Sequence, residues 1–306
     1  MVSVSQAPEA ARFFVFGCGY SASAFLRTRE TEEIVGATTR SGEKAGQLRA
    51  LGWPPFLFDG HAPGDGIAEA LRRTTHLVVS IAPGDDGDPV LRHHGEDLRA
   101  HAPALRWIGY LSTVGVYGDH GGAWVDETTA PEPRSRRSHE RLEAERAWAA
   151  LADDLGLPLA TVRLSGIYGP GRSPFDKLRA GTARRLVKPG QVFNRIHVED
   201  IAGALGHLAG TYAAGIFNVT DDEPAPPQDV VAHAAEIGGY PLPPAIDFGA
   251  ADLTPMARSF YGENKRVANS KLKNAGYALR FPTFREGLMS LLTSRASLLD
   301  NEKSRD

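Results

Sequence analysis

The sequence predicts an α/β fold: a parallel sheet wound on both faces by helices, with a smaller C-terminal substrate lobe. Three observations lead there. Short apolar runs of strand type alternate with helix-compatible segments through the first half of the chain. One of them, His76-Leu77-Val78-Val79-Ser80-Ile81, is continuously apolar at its centre, the pattern of a strand buried on both faces. The first run, Phe13-Phe14-Val15-Phe16, breaks abruptly into Gly17-Cys18-Gly19-Tyr20-Ser21-Ala22, and a helix-compatible segment follows to Arg29.

The elements come in this order. A first strand is expected over 12–16, and a second over 33–38 ends in Thr39-Arg40-Ser41. A helix over 43–51 leads to a third strand over 55–58, which stops at Asp59. A helix near 66–73 precedes the apolar fourth strand, and the stretch Ser80-Ile81-Ala82-Pro83 leaves it. The polar loop Gly84-Asp85-Asp86-Gly87-Asp88 lacks the ligand count of a calcium loop and reads as a turn. A helix over 91–101, a fifth strand over 106–111, a helix over 135–152 and a sixth strand over 161–164 complete the alternation. The Pro-rich stretches Pro224-Ala225-Pro226-Pro227 and Pro241-Leu242-Pro243-Pro244 punctuate the smaller lobe. The termini, 1–11 and 295–306, read as flexible.

Bulk properties narrow the function classes. A chain of 306 residues can bury a full core, and 42% apolar residues suit a soluble globular protein. A net charge of −3 gives no electrostatic case for nucleic acid or for an anionic membrane surface. Cys18 is the one cysteine, so no intramolecular disulfide forms. No apolar run approaches the ~18 residues of a membrane span, and residues 1–11 carry neither the basic nor the apolar region of a secretion signal. The expectation is a cytoplasmic protein with a small-molecule substrate and neither nucleic acid nor membrane as partner. The histidines show no zinc spacing, and no metal is expected.

The glycine turn carries the first chemistry. Gly17 permits a tight strand-to-helix turn, Gly19 leaves no Cβ between the backbone and a pyrophosphate, and Ala22 lets helix and strand pack closely. The first N–H groups of the helix then face the phosphates, and Tyr20 and Ser21 flank them. This is the fingerprint of a Rossmann-type dinucleotide site. The end of the second strand selects the cofactor. A carboxylate there would bind the ribose 2′-OH of NAD, and an arginine suits the 2′-phosphate of NADP. Thr39, Arg40 and Ser41 stand there, with Lys44 one turn on and no acid before Glu43, which favours NADP and leaves NAD possible. The plain alternative is a solvated arginine at a strand end. Asp59 is placed either to accept the adenine amine or to hold a turn before Gly60. Ser80 and Ala82 leave the fourth strand at its carboxyl end, where cofactors lie in such sheets. Cys18 is either a small filler beside the phosphates or a thiol activated by the helix end, whose modification would block the cofactor.

Further on stand Leu111-Ser112-Thr113-Val114-Gly115-Val116-Tyr117-Gly118, Arg163-Leu164-Ser165-Gly166-Ile167-Tyr168-Gly169-Pro170-Gly171 and His197-Val198-Glu199-Asp200. With the N-terminal glycines, they resemble the extended short-chain dehydrogenase/reductase family, also called the NAD-dependent epimerase/dehydratase family, over nearly the whole chain. The tail stretches Asn269-Ser270-Lys271-Leu272 and Phe281-Pro282-Thr283-Phe284-Arg285-Glu286-Gly287-Leu288 look like an atypical branch of it. The resemblance implies a discontinuous cofactor domain, 12–165 plus 197–220, and a substrate lobe of 166–196 plus 221–290. It also implies that Thr113 holds a substrate oxygen and that members pair as homodimers, one of the paired helices being 135–152.

The family's base is the tyrosine of a Tyr-x-x-x-Lys motif. Matching the family's following glutamate to Glu145 puts Arg141 at the lysine position and Arg137 at the tyrosine position. No tyrosine occurs between Tyr117 and Tyr168, so the catalytic pair is absent. Two readings remain. In the first, an oxidoreductase or epimerase acts on a small polar or sugar-nucleotide-like substrate with a rearranged acid. Tyr117 or His139 would then donate the proton, Arg141 would clamp the cofactor ribose, and Arg137, Arg172 and Arg195 would anchor an anionic substrate. In the second, the chain is an NADP-binding sensor or partner protein without hydride chemistry, Tyr117 is a packed aromatic and His139 a solvated helix residue. The acids of His197-Val198-Glu199-Asp200 are expected to cap a helix N-terminus.

Overall fold

The computed structural model describes residues 10–303. The expected flexibility of the leader and of the extreme C-terminus falls on 1–9 and 304–306, which lie outside the described residues. In chain order the elements begin with β1 (Phe13–Phe16), α1 (Tyr20–Leu26), β2 (Ile34–Thr39), α2 (Gly42–Ala50), β3 (Pro55–Leu57) and α3 (Ile67–Leu71). Next come β4 (His76–Val79), α4 (Pro89–His101), β5 (Trp107–Thr113), β6 (Trp124–Val125), α5 (Arg136–Leu155) and β7 (Leu159–Leu164). The second half runs through β8 (Gly166–Tyr168), α6 (Pro174–Arg179), β9 (Arg185–Val187), β10 (Arg195–His197), α7 (Val198–Gly210) and β11 (Gly215–Val219). It closes with α8 (Pro227–Ile237), β12 (Ala245–Asp247), α9 (Pro255–Phe260), β13 (Arg266–Val267), α10 (Ser270–Asn274) and α11 (Phe284–Lys303).

Seven strands form one sheet in the order β11-β7-β5-β4-β1-β2-β3. β1 pairs in parallel with β2 on one side and β4 on the other, and β3 and β5 extend the sheet in parallel. The winding direction therefore reverses at β1, the switch point of a doubly wound fold, where such sheets open a crevice at their carboxyl ends. The expected α/β class is the observed one.

The described residues divide into two compact units. The first comprises the chain up to Ser112 with Glu140–Val162 and Leu205–Gly215; the second comprises Thr113–His139, Arg163–Ala204 and the chain from Ile216. The division differs from the expected 12–165 plus 197–220 in giving Thr113–His139, and also 163–165, 197–204 and 216–220, to the second unit. For Thr113–His139 the reason is local pairing. β6 joins β13 in parallel, and Val114, Tyr117, Val125 and Val267 share one buried cluster.

The first unit's core grows from its sequence pattern. Phe13–Phe16 is buried throughout, and Phe14 and Phe16 pack with Phe58, Leu71, Leu77 and Val79. Ala144, Trp148, Leu151 and Ala152, at helical spacing, put one face of α5 into the same core. Asp88 caps α4 by accepting from Val90 N and Leu91 N, and its second oxygen accepts from the Trp148 indole at 3.0 Å. The loop before it is a reverse turn closed between Gly84 and Gly87, as expected. In the second unit Tyr168, Phe175, Leu178, Val230, Ala234, Phe284 and Leu288 form a separate core.

As expected, a helix, α7, opens with both acids, Glu199 and Asp200, in its first turn. The buried Asp200 carboxylate also accepts from Arg280 N, Phe281 N and the Tyr277 hydroxyl, which fixes the segment before α11. His197 ends β10, and its Nδ1 accepts from Glu199 N at the start of α7. The last helix, α11, is packed through Phe284 and Leu288 and runs to Lys303, into the tail whose flexibility is expected from 295.

Candidate functional site

The carboxyl ends of β1, β2, β3 and β4 enclose a cleft of about 850 Å³ in the first unit. At its base Gly17 has φ +90°, and a Cβ there would come within 2.7 Å of the Ile81 side chain and 3.0 Å of its backbone nitrogen. Glycine is required on both counts. The turn is tied to β2: Gly17 N donates to Thr38 Oγ1 at 2.7 Å and Cys18 N to Thr38 O at 2.8 Å. Gly19 is different. A Cβ on Gly19 would meet nothing within 4 Å, so the space above it is open to a ligand. α1 begins at Tyr20 with no side-chain cap and no acid in its first turn. An uncapped start leaves backbone N–H groups for an anion, and the features together fit a pyrophosphate.

The segment leaving β2 forms the other wall. Thr39, Arg40, Ser41 and Lys44 all line the cleft. Ser41 caps α2, its Oγ accepting from Lys44 N at 3.2 Å. Neither Arg40 nor Lys44 has a carboxylate within ion-pair distance among the described residues. Asp59, Ser80 and Ala82 also line the cleft, with Cys18 at its floor. The Asp59 carboxylate accepts from His61 N at 2.9 Å, the turn geometry anticipated for it, and this bond holds its pKa below the ordinary range. Burial pushes the Cys18 thiol up, outweighing the Ser23 hydroxyl and the cations Lys44 and Arg27. Cys18 is therefore a thiol rather than an activated thiolate.

Several residues singled out in the sequence stand elsewhere. Ser21 and Ala22 are buried in α1 and do not line the cleft, nor does the half-buried Tyr20. Arg141 is engaged within its own core: Nη1 donates to the Tyr110 hydroxyl at 3.1 Å and to Leu111 O at 2.8 Å, with the guanidinium 5.6 Å from the Tyr110 ring. Glu145 accepts from Ser112 in the same buried layer. Phe58, His61 and Arg92 join the cleft lining although no motif marks them. Arg92 donates to Gly60 O at 2.7 Å and pairs with Asp86 at 3.1 Å, linking two rim loops.

In the second unit Thr113 caps the turn after β5, its hydroxyl accepting from Gly115 N at 3.1 Å. Tyr117 is fully buried and donates to Asn218 Oδ1 at 2.8 Å, with the Arg163 guanidinium 4.7 Å from its ring. Burial holds its phenol pKa above the usual value. That is the packed-aromatic geometry, poorly suited to a proton donor. Arg137 and His139 are exposed on α5, and Arg172 is exposed in a turn closed onto Gly169. Arg195 donates to Phe193 O at 2.9 Å and Ala225 O at 3.1 Å, and Asn194 pins Lys265 O and Val267 N. Both are engaged by backbone rather than presented to a ligand.

No protein-family model matches the chain. A solved structure of a functionally unknown conserved protein from Silicibacter pomeroyi is 49% identical, covers 93% of this chain and 99% of its own, and superposes with a TM-score of 0.84. A structure assigned to the NAD-dependent epimerase/dehydratases, from Methylobacillus flagellatus, is 25% identical over 94% of this chain and 100% of its own, with a TM-score of 0.73. Among curated proteins, a 3-diazoavenalumate denitrifying reductase from a Streptomyces species is 29% identical over 233 residues, 72% of this chain. The match spans 65% of that reductase's length.

Proposed function

Because the chain belongs to the extended short-chain dehydrogenase/reductase family, the NAD-dependent epimerase/dehydratase family, we propose that it binds a nicotinamide dinucleotide in the cleft of the first unit, NADP in preference to NAD, and works as an oxidoreductase or epimerase on a small polar substrate. When bound, such a cofactor supplies a hydride donor or acceptor. The chain's part is to hold it. The open space over Gly19 and the uncapped start of α1 suit the pyrophosphate, Asp59 the adenine amine, and the end of β2 the ribose. The reductase among the relatives supports the redox direction.

One observation carries the NADP preference: two cations without carboxylate partners, Arg40 and Lys44, flank the Ser41 hydroxyl where an NAD site has an acid. A 2′-phosphate gives them a partner; a 2′-hydroxyl leaves them idle. A charge-assisted hydrogen bond of this kind contributes about 1.5–3 kcal/mol, roughly one to two orders of magnitude in affinity. Titration of the purified protein with NADPH and NADH tests it. Arg40→Ala should weaken NADPH by about 10- to 100-fold and NADH by less than about threefold. Equal losses for both cofactors would sink the assignment.

A second reading, a cofactor-binding protein without turnover, is favoured by the burial of Tyr117 and by the residues at the motif positions. Tyr117 is sealed against Asn218, and the Tyr-x-x-x-Lys positions hold Arg137 and Arg141. Consumption of NADPH with a panel of carbonyl substrates supports the enzyme; tight binding without turnover across the panel supports the sensor.

A further inference from the structure

We propose that the second unit carries its own binding site for a small organic monoanion, an aryl or aralkyl carboxylate, in a cavity beside α6, β9 and α8. The cavity measures about 330 Å³. That is the small end of ligand-site volumes, suited to one or two rings with an acid group. Leu186, Val231 and the ring of Tyr261 supply apolar wall, while Lys177 and Arg184 supply charge. The Tyr261 ring is held in place by Phe193 at 5.1 Å and Phe248 at 4.7 Å between centroids.

The cations of this neighbourhood divide into two groups. Arg179 is paired with Asp176, Arg185 donates to Pro243 O, and Lys188 is engaged by Gln191 and the Tyr261 carbonyl. Lys177 and Arg184, the two that line the cavity, have no side-chain hydrogen bond or ion pair among the described residues. The Tyr261 hydroxyl likewise has none. The lining thus holds two exposed cations, Lys177 and Arg184, and the buried, hydroxyl-bearing Tyr261. Asp252 is the one acid of the lining, so the site carries a net single positive charge. A monoanion balances that charge and a phosphate dianion exceeds it. The fork of Arg184 matches a carboxylate bidentately, and the apolar walls discriminate against a bare inorganic anion.

This site does not rest on the dinucleotide reading, since every residue of it belongs to the second unit. Isothermal titration calorimetry on the full chain tests it, with 2-naphthoate as probe and 2-naphthalenemethanol and inorganic phosphate as comparators. Naphthoate should bind at least about tenfold more tightly than the alcohol, and more tightly than phosphate. Lys177→Gln and Arg184→Gln should each weaken naphthoate by about tenfold, and Val231→Trp should block it by filling the cavity from the apolar side. All three variants should keep the parent's far-UV circular dichroism, which verifies their folding, and Arg40→Ala should bind naphthoate unchanged. No heat from naphthoate at millimolar concentration, equal affinity for acid and alcohol, phosphate binding as tight as naphthoate, or unaltered binding in a Lys177→Gln/Arg184→Gln double variant would each overturn the proposal.

Discussion

Tyr117→Phe separates a structural hydroxyl from a chemical one. The phenol oxygen donates to Asn218 Oδ1 at 2.8 Å in a fully buried setting. Deleting it leaves that acceptor without its donor, while the remaining Asn218 bonds, Nδ2 to Ala268 O at 3.1 Å and the backbone N to Glu127 at 2.7 Å, persist. The ring stays in place, so its packing against Val114, Val125 and Val267 and the Arg163 contact at 4.7 Å are kept. One atom is lost, and no cavity of consequence opens. The cost is therefore the desolvation of a stranded acceptor, about 1–3 kcal/mol. Urea denaturation followed by tryptophan fluorescence should report that loss. Asn218→Ala should cost less in the Tyr117→Phe background than in the parent, because the shared bond is already gone. Turnover should stay within about threefold of the parent, whereas loss of a general acid costs about 10²- to 10⁴-fold. A variant as stable as the parent but with turnover reduced a hundredfold would refute the structural assignment and put the hydroxyl in the reaction.

Gly17→Ala and Gly19→Ala should fail in opposite ways. At Gly17 the positive φ and the 2.7 Å approach to Ile81 make any Cβ strained, so the variant should lose about 2 kcal/mol or more by denaturation. Gly19→Ala should unfold with the parent but bind NADPH more weakly by titration, since its Cβ would meet only the open space the ligand needs. Buried Asp221 has one oxygen without a hydrogen-bond partner, and desolvation pushes its pKa up to about 8 despite the pull of Arg195. The unfolded chain therefore releases this proton near pH 4 and the folded chain near 8, so stability falls as pH rises between them. His197, lowered to about 4 by burial, acts in the opposite sense, but only between its folded and unfolded pKa values. From about pH 6.5 to 8, above the ordinary histidine range, the Asp221 contribution amounts to roughly 2 kcal/mol. Asp221→Asn should flatten that slope in denaturation curves; an equally steep slope would show that another group titrates.

Local pattern made the sheet legible. Strand type follows from apolar runs only a few residues long, and the Gly17–Ala22 turn and the Thr39–Ser41 strand end sit beside the strands that position them. Neighbours in sequence stay neighbours in the fold, so the cleft could be drawn before its walls were seen. The absent Tyr-x-x-x-Lys pair was equally plain, being a matter of which residues are present. What lay beyond the sequence was the fate of each long side chain, because that is decided by partners brought close only by tertiary packing. Tyr117 meets Asn218 across 101 positions, and Asp200 meets Arg280 and Phe281 across 80 and 81. Arg141 could equally have reached solvent, ligand or core, and the packing of α5 chose the core. Lys177, Arg184, Val231 and Tyr261 share no motif or periodicity, and a cavity assembled from separate stretches of chain has no one-dimensional signature. The sequence determined the frame and the cleft at its carboxyl ends; long-range burial determined which of its polar groups remain free to act.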